Sequence, residues 1–72
     1  EQAAPTPPSV ADLTPRELEV ARLVARGLTN RQVAETLVVT EKTAANHVQH
    51  VLDKLVLRSR SQLAARAGEL GL

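Results

Sequence analysis

The chain has no cysteine, no methionine and no phenylalanine, tyrosine or tryptophan among its 72 residues. Without cysteine it can form neither a disulfide nor a thiolate metal site, which suits a reducing compartment. Without aromatic rings the core must come from Leu, Val and Ala, which bury little area each. One such core stands near the lower size limit for a self-sufficient domain. A stability of roughly a few kcal/mol is expected, with some gain from a partner chain. No apolar run approaches the length of a membrane span, and no charged-then-apolar leader opens the chain. The expectation is a cytoplasmic protein with no membrane partner. A first residue of Glu and the lack of Met predict a piece of a longer product, with the missing part on the N-terminal side. Glycine-rich phosphate loops, nucleophile–base–acid orders and paired carboxylates are also missing, so neither a catalytic residue nor a cofactor is expected.

What is present is uneven charge. Residues 1–41 carry four Arg against six acids, a net −2. Residues 42–66 carry Lys42, Lys54, Arg58, Arg60 and Arg66 against Asp53 alone, a net +4. A basic second half in a chain of overall charge +1 suits a polyanion partner, although a short chain can be this uneven by chance.

Residues 1–12, "EQAAPTPPSVAD", hold three prolines and no hydrophobic period, and read as a flexible tether before a folded domain at 13–72. "LTPRELEV" then opens a helix: Thr14 caps, Pro15 suits the first position, Glu17 completes a capping box, and Leu13 and Leu18 staple. Gly27 is placed to end it in a left-handed cap. "LTNRQVAETL" repeats the pattern with Thr29 and Gln32, predicting a short helix over 30–37. Thr40 caps a third helix over 41–55, whose Ala44, Val48, Val51, Leu52 and Leu55 make one apolar stripe. Ser59 with Gln62 starts a fourth helix that runs to about Leu70 and is closed by Gly71. Nothing reads as a strand. The predicted fold is all-α: a four-helix domain containing a helix-turn-helix.

A short helix, a three-residue joint from Val38 to Thr40 and a longer helix form that motif. Such a joint makes the two helices cross steeply and leaves the third free to enter a DNA major groove. Lys42, Asn46, Gln49 and Asp53 point most directly away from the apolar stripe, with Thr43 and His50 beside them. Asn and Gln can pair two-pronged with adenine, while Lys and Thr can hold phosphate or a base edge. Thr29, Asn30 and Thr40 stand at helix N-termini, where free amides favour phosphate oxygens. Arg58 and Arg60, following Lys54, add cations for the same backbone. Any soluble helix has a polar outer face, so it is the combination of short helix, tight joint and local basicity that points to DNA.

Residues 13–65, from "LTPRELEV" through "GLTN", "TEKT" and "KL" to "RSR", resemble the LuxR-type (GerE-type) helix-turn-helix domain. The resemblance extends over about 13–70 and implies a four-helix, DNA-binding output domain of a bacterial transcription regulator. Such domains usually stand C-terminal to a regulatory domain and act as dimers through the fourth helix. Carried over position by position, Ala45, Asn46 and Gln49 take the base-facing places. Lys42, Thr43, His47 and Lys54 take places where phosphate or groove-edge contacts are common. Two departures stand out. "KTAANH" has Ala44 and Ala45 where the family typically reads Val and then a basic residue. A lost bidentate cation is worth about 1–3 kcal/mol, one to two decades in affinity. In "KLVLRSR", Val56 replaces a common Gly; a Val there predicts a backbone that avoids positive φ and a reshaped joint.

On the fourth helix, Ser61, Ala64, Ala65 and Gly68 share one side, a flat small-residue surface for a two-fold homodimer, unless the alanines are only helix filler. His47 and His50 are three apart, but without cysteine no metal site is expected. Ala44, Ala45 and the modest net charge also leave open a degenerate helix-turn-helix, kept for dimerisation or protein interaction with weak or no DNA binding.

Overall fold

The computed structural model describes residues 10–72. Most of the expected tether, residues 1–9, falls outside the described residues. Its last three, Val10–Asp12, form a 3-10 turn rather than extended chain. Five α-helices follow: α1 Pro15–Ala25, α2 Asn30–Leu37, α3 Glu41–Lys54, α4 Arg60–Ala65 and α5 Ala67–Leu70. No strand occurs among the described residues.

The starts of α1 to α4 are capped by the side chains that predicted them. The backbone N–H of Glu17 donates to Thr14 Oγ1 at 3.2 Å, and that of Thr14 donates to Glu17 Oε1 at 2.9 Å. The same reciprocal pair joins Thr29 and Gln32, at 3.1 and 2.8 Å. Thr40 caps α3 by accepting from the backbone N–H of Thr43 at 3.1 Å. At α4 the expected box is displaced by one residue. Ser59 accepts from the N–H of Gln62 at 3.2 Å, but the Gln62 side chain accepts from the N–H of Arg58 at 2.6 Å.

Four of the five helix ends share one geometry. After α1, α2, α3 and α5, a residue with positive φ is followed by a backbone bond reaching back five residues, as in Leu28 to Leu23 at 3.2 Å and Leu57 to Leu52 at 2.8 Å. These are Schellman caps. Gly27 and Gly71 fill two of them, at φ 93 and 78. Val38 and Val56 fill the others, at φ 57 and 56. The expectation for Val56 is thus corrected: the backbone keeps positive φ and the side chain bears the strain. Both valines face solvent, 89% and 75% exposed, so burial gives them no compensation.

The core is aliphatic. Val20, Ala21 and Val24 of α1 meet Val33 and Ala34 of α2 and Ala44, Val48, Val51 and Leu52 of α3, with Leu55, Leu57 and Leu63 completing the cluster. All five residues of the predicted α3 stripe are buried. α1 packs mainly on α3 and α4, and α2 packs on α3. The predicted fourth helix is interrupted at Arg66, φ −102 and ψ 7, which divides it into α4 and α5.

Candidate nucleic-acid interface

Opposite its buried stripe, α3 presents Lys42, Asn46, Gln49 and Asp53, all exposed. Steps of four, three and four residues at 100° each hold these side chains within an arc of about 60°. The row runs along a helix of about 21 Å, long enough to lie in a major groove. Thr43 is half-buried beside Thr40, whose hydroxyl donates to Thr43 Oγ1 at 2.9 Å. Gln49 Nε2 donates to Asp53 Oδ1 at 2.9 Å. Ala45 and His47 are half-buried on the flanks, and His50 is exposed.

A groove beside α3 gathers side chains from three elements. Asn30 stands at the start of α2, Ala45 and Gln49 on α3, and Arg58, Arg60 and Ser61 at the entrance to α4. Arg60 holds these parts together: Nη1 donates to Asn30 Oδ1, and Nη2 donates to the carbonyl of Leu28. The start of α4 is thereby tied to the loop before α2. Arg58 is exposed, and its backbone N–H is taken by Gln62.

Lys54 lies elsewhere. Its Nζ is 2.7 Å from Glu17 Oε1 and 3.5 Å from the carbonyl of Asp12, at the root of α1. A phosphate contact from Lys54 or Arg60 would compete with these internal partners, whereas Lys42 and Arg58 carry no such tie in their side chains. Thr29 is exposed at the N-terminus of α2, with its hydroxyl engaged in the capping box. Ser61, Ala64 and Ala65 are exposed on α4, and Gly68 is exposed on α5, beyond the break.

Two features of the site emerge only from the fold. Ser61, expected on a dimer face, lines the groove together with Ser59. Asp53 is bonded to Gln49 rather than simply solvated, and the spacing of four between an amide and a carboxylate on one helix carries that signal.

Residues 11–67 match the family described as "Bacterial regulatory proteins, luxR family". The chain belongs to this LuxR family. It is 41% identical over 66 residues to the transcriptional regulatory protein LnrK of Bacillus subtilis, covering 92% of this chain and 30% of that protein. It is 44% identical over 61 residues to the nitrate/nitrite response regulator protein NarL of Escherichia coli, covering 85% of this chain and 28% of that protein. The two-component response regulator PprB of Pseudomonas aeruginosa is 44% identical over 63 residues, covering 88% and 23%. The chain therefore spans less than a third of each of these relatives. On α3 it carries Ala45 and Asp53 on or beside the solvent-facing side of the helix.

Proposed function

We propose that this chain is the sequence-specific, double-stranded DNA-binding output domain of a bacterial transcription regulator. It would work in the cytoplasm, C-terminal to a regulatory domain. The observation that carries this reading is the uninterrupted polar row Lys42–Asn46–Gln49 on an exposed helix face backed by an apolar stripe. In this reading α3 enters the major groove, and Asn46 and Gln49 meet base edges. Lys42, Thr40, Thr43 and His47 steady its N-terminal half against phosphate. Thr29 and Asn30 bring the start of α2 to the backbone, and Arg58 approaches from the loop before α4. Two chains associate through Ser61, Ala64, Ala65 and Gly68, so that two recognition helices address two half-sites. Catalysis has no part in it: the site offers donors and acceptors for reading and no activated nucleophile.

The test is selection from a random duplex pool with the purified chain, followed by anisotropy titrations of the winning duplex across a salt series. A DNA reader gains a defined winning sequence, and log K falls linearly with log salt at about −0.9 per neutralised phosphate. Ala45, which lacks a cation, and Asp53, an acid on the outer face, favour one competing reading, a degenerate helix-turn-helix used for protein contact. Failure to bind any duplex at low salt, accompanied by dimer formation, would establish that alternative instead.

A further inference from the structure

Asp53 is an unexpected residue for a helix meant to approach phosphate. It shares the exposed face of α3 with Lys42, Asn46 and Gln49, and an acid there repels the DNA backbone. It also accepts a hydrogen bond from Gln49 Nε2 at 2.9 Å. An ionised carboxylate only accepts, so the chemistry itself requires that the amide nitrogen of Gln49, and not its oxygen, faces Asp53. A free glutamine can turn its amide over and offer its donor and acceptor in either order. The one held by Asp53 cannot do so without breaking that bond.

We propose that Asp53 is a specificity-positioning residue: it fixes the amide of Gln49 so that this side chain reads adenine, and it does so at the expense of general affinity. This rests on the DNA reading proposed above. With one N–H given to Asp53, Gln49 keeps its carbonyl oxygen and one N–H, the acceptor and donor needed for the N6 and N7 edge of adenine. Flipping the amide would instead offer its donors to the acceptors of guanine or thymine, which broadens the choice. The carboxylate charge lowers affinity for all duplexes alike, because every duplex carries the same phosphates. Asp53 thus affects selectivity and affinity in opposite directions, which makes its role separable from a simple stabilising one.

The experiment uses the native chain and the Asp53→Ala, Asp53→Asn and Gln49→Ala variants, with Gln49→Ala/Asp53→Ala as the double variant. Each is titrated with the duplex selected by the native chain and with copies in which each adenine is replaced in turn. Asp53→Ala is expected to bind the non-specific copies more tightly while losing about twofold of its discrimination at a single adenine, the scale of one amide–carboxylate pair on a helix. Asp53→Asn, whose amide offers a donor as well as an acceptor and so can pair with Gln49 in either orientation, is expected to gain the affinity and to lose the discrimination as Asp53→Ala does. In the Gln49→Ala background, replacing Asp53 should leave discrimination unchanged. Full discrimination in Asp53→Ala overturns the proposal while the DNA reading stands. So does an equal loss in the Gln49→Ala background. Absence of duplex binding by the native chain overturns both.

Discussion

Glu17 Oε1 lies 2.7 Å from Lys54 Nζ, joining the first turn of α1 to the last turn of α3 across 37 positions of sequence. Glu17 is the one buried charged residue among the described residues, 7% exposed, and every buried side-chain polar atom among them has a hydrogen-bond partner. One carboxylate therefore does two jobs. It closes the capping box on Thr14 and anchors the far end of the helix proposed to read DNA.

Lys54, followed by the backbone N–H of Thr14, holds the Glu17 carboxyl below its usual value of 4.5. A carboxyl with a lowered folded pKa contributes stability above its unfolded pKa and loses it as pH falls through the folded pKa. Stability is thus expected to decline on acidification below about pH 4.5. Glu17→Gln keeps an acceptor for the capping box but removes the charge. It should cost roughly 1–2 kcal/mol at neutral pH, less than a fully buried pair because Lys54 is partly solvated. It should also flatten the acid limb. Denaturant melts of the two proteins across pH decide this; equal acid limbs would contradict it.

Val38 and Val56 give a prediction of opposite sign. A β-branched residue at positive φ costs about 1–2 kcal/mol, and neither side chain is buried. Replacing either with Gly relieves that strain but loosens the unfolded chain by about 0.4–1 kcal/mol. Each substitution should therefore stabilise by roughly 0.5–1 kcal/mol, a rise of several degrees in Tm for a domain of this size. Thermal melts showing that either glycine variant is less stable would refute the strained-cap account.

Much of this was legible in the residues, and the exceptions have physical reasons. The helix starts are local: Thr14, Thr29 and Thr40 cap where they stand because the partner lies three residues ahead. The buried stripe of α3 follows from its period alone. Lys54 is different, because its choice of Glu17 over solvent depends on two elements meeting in space, and a basic residue at the end of an exposed helix looks equally suited to phosphate. Arg60 is the same case, claimed by Asn30 and Leu28 from a distant loop. Val56 adopts positive φ against the preference of a β-branched side chain. The packing of Leu55 and Leu57 on either side of it outweighs that preference.

Lys42 and the amides of α3 should separate cleanly in binding. Lys42→Ala is expected to weaken all duplexes similarly and to flatten the salt slope by about 0.9. Asn46→Ala and Gln49→Ala should each relax base preference, at a cost of about 1–3 kcal/mol on the selected duplex. Anisotropy titrations at several salt concentrations distinguish the two patterns. If Lys42→Ala changed base preference, its assigned role would be wrong.

The small-residue face of α4 predicts a charge-sensitive dimer. Ala64→Glu places a carboxylate where two chains would approach and should shift sedimentation towards monomer at a given concentration. An unchanged sedimentation profile at every concentration would remove this face from consideration.

Amide chemical-shift mapping of the isotope-labelled chain, titrated with its selected duplex, tests most directly whether α3 reads DNA. The largest shifts are expected at residues 42–49, with a second group at Thr29 and Asn30, and only small changes at Glu19 and Arg22 on α1 and at Arg26 just after it. Shifts confined to α1, or none along α3 at saturating duplex, would contradict the account.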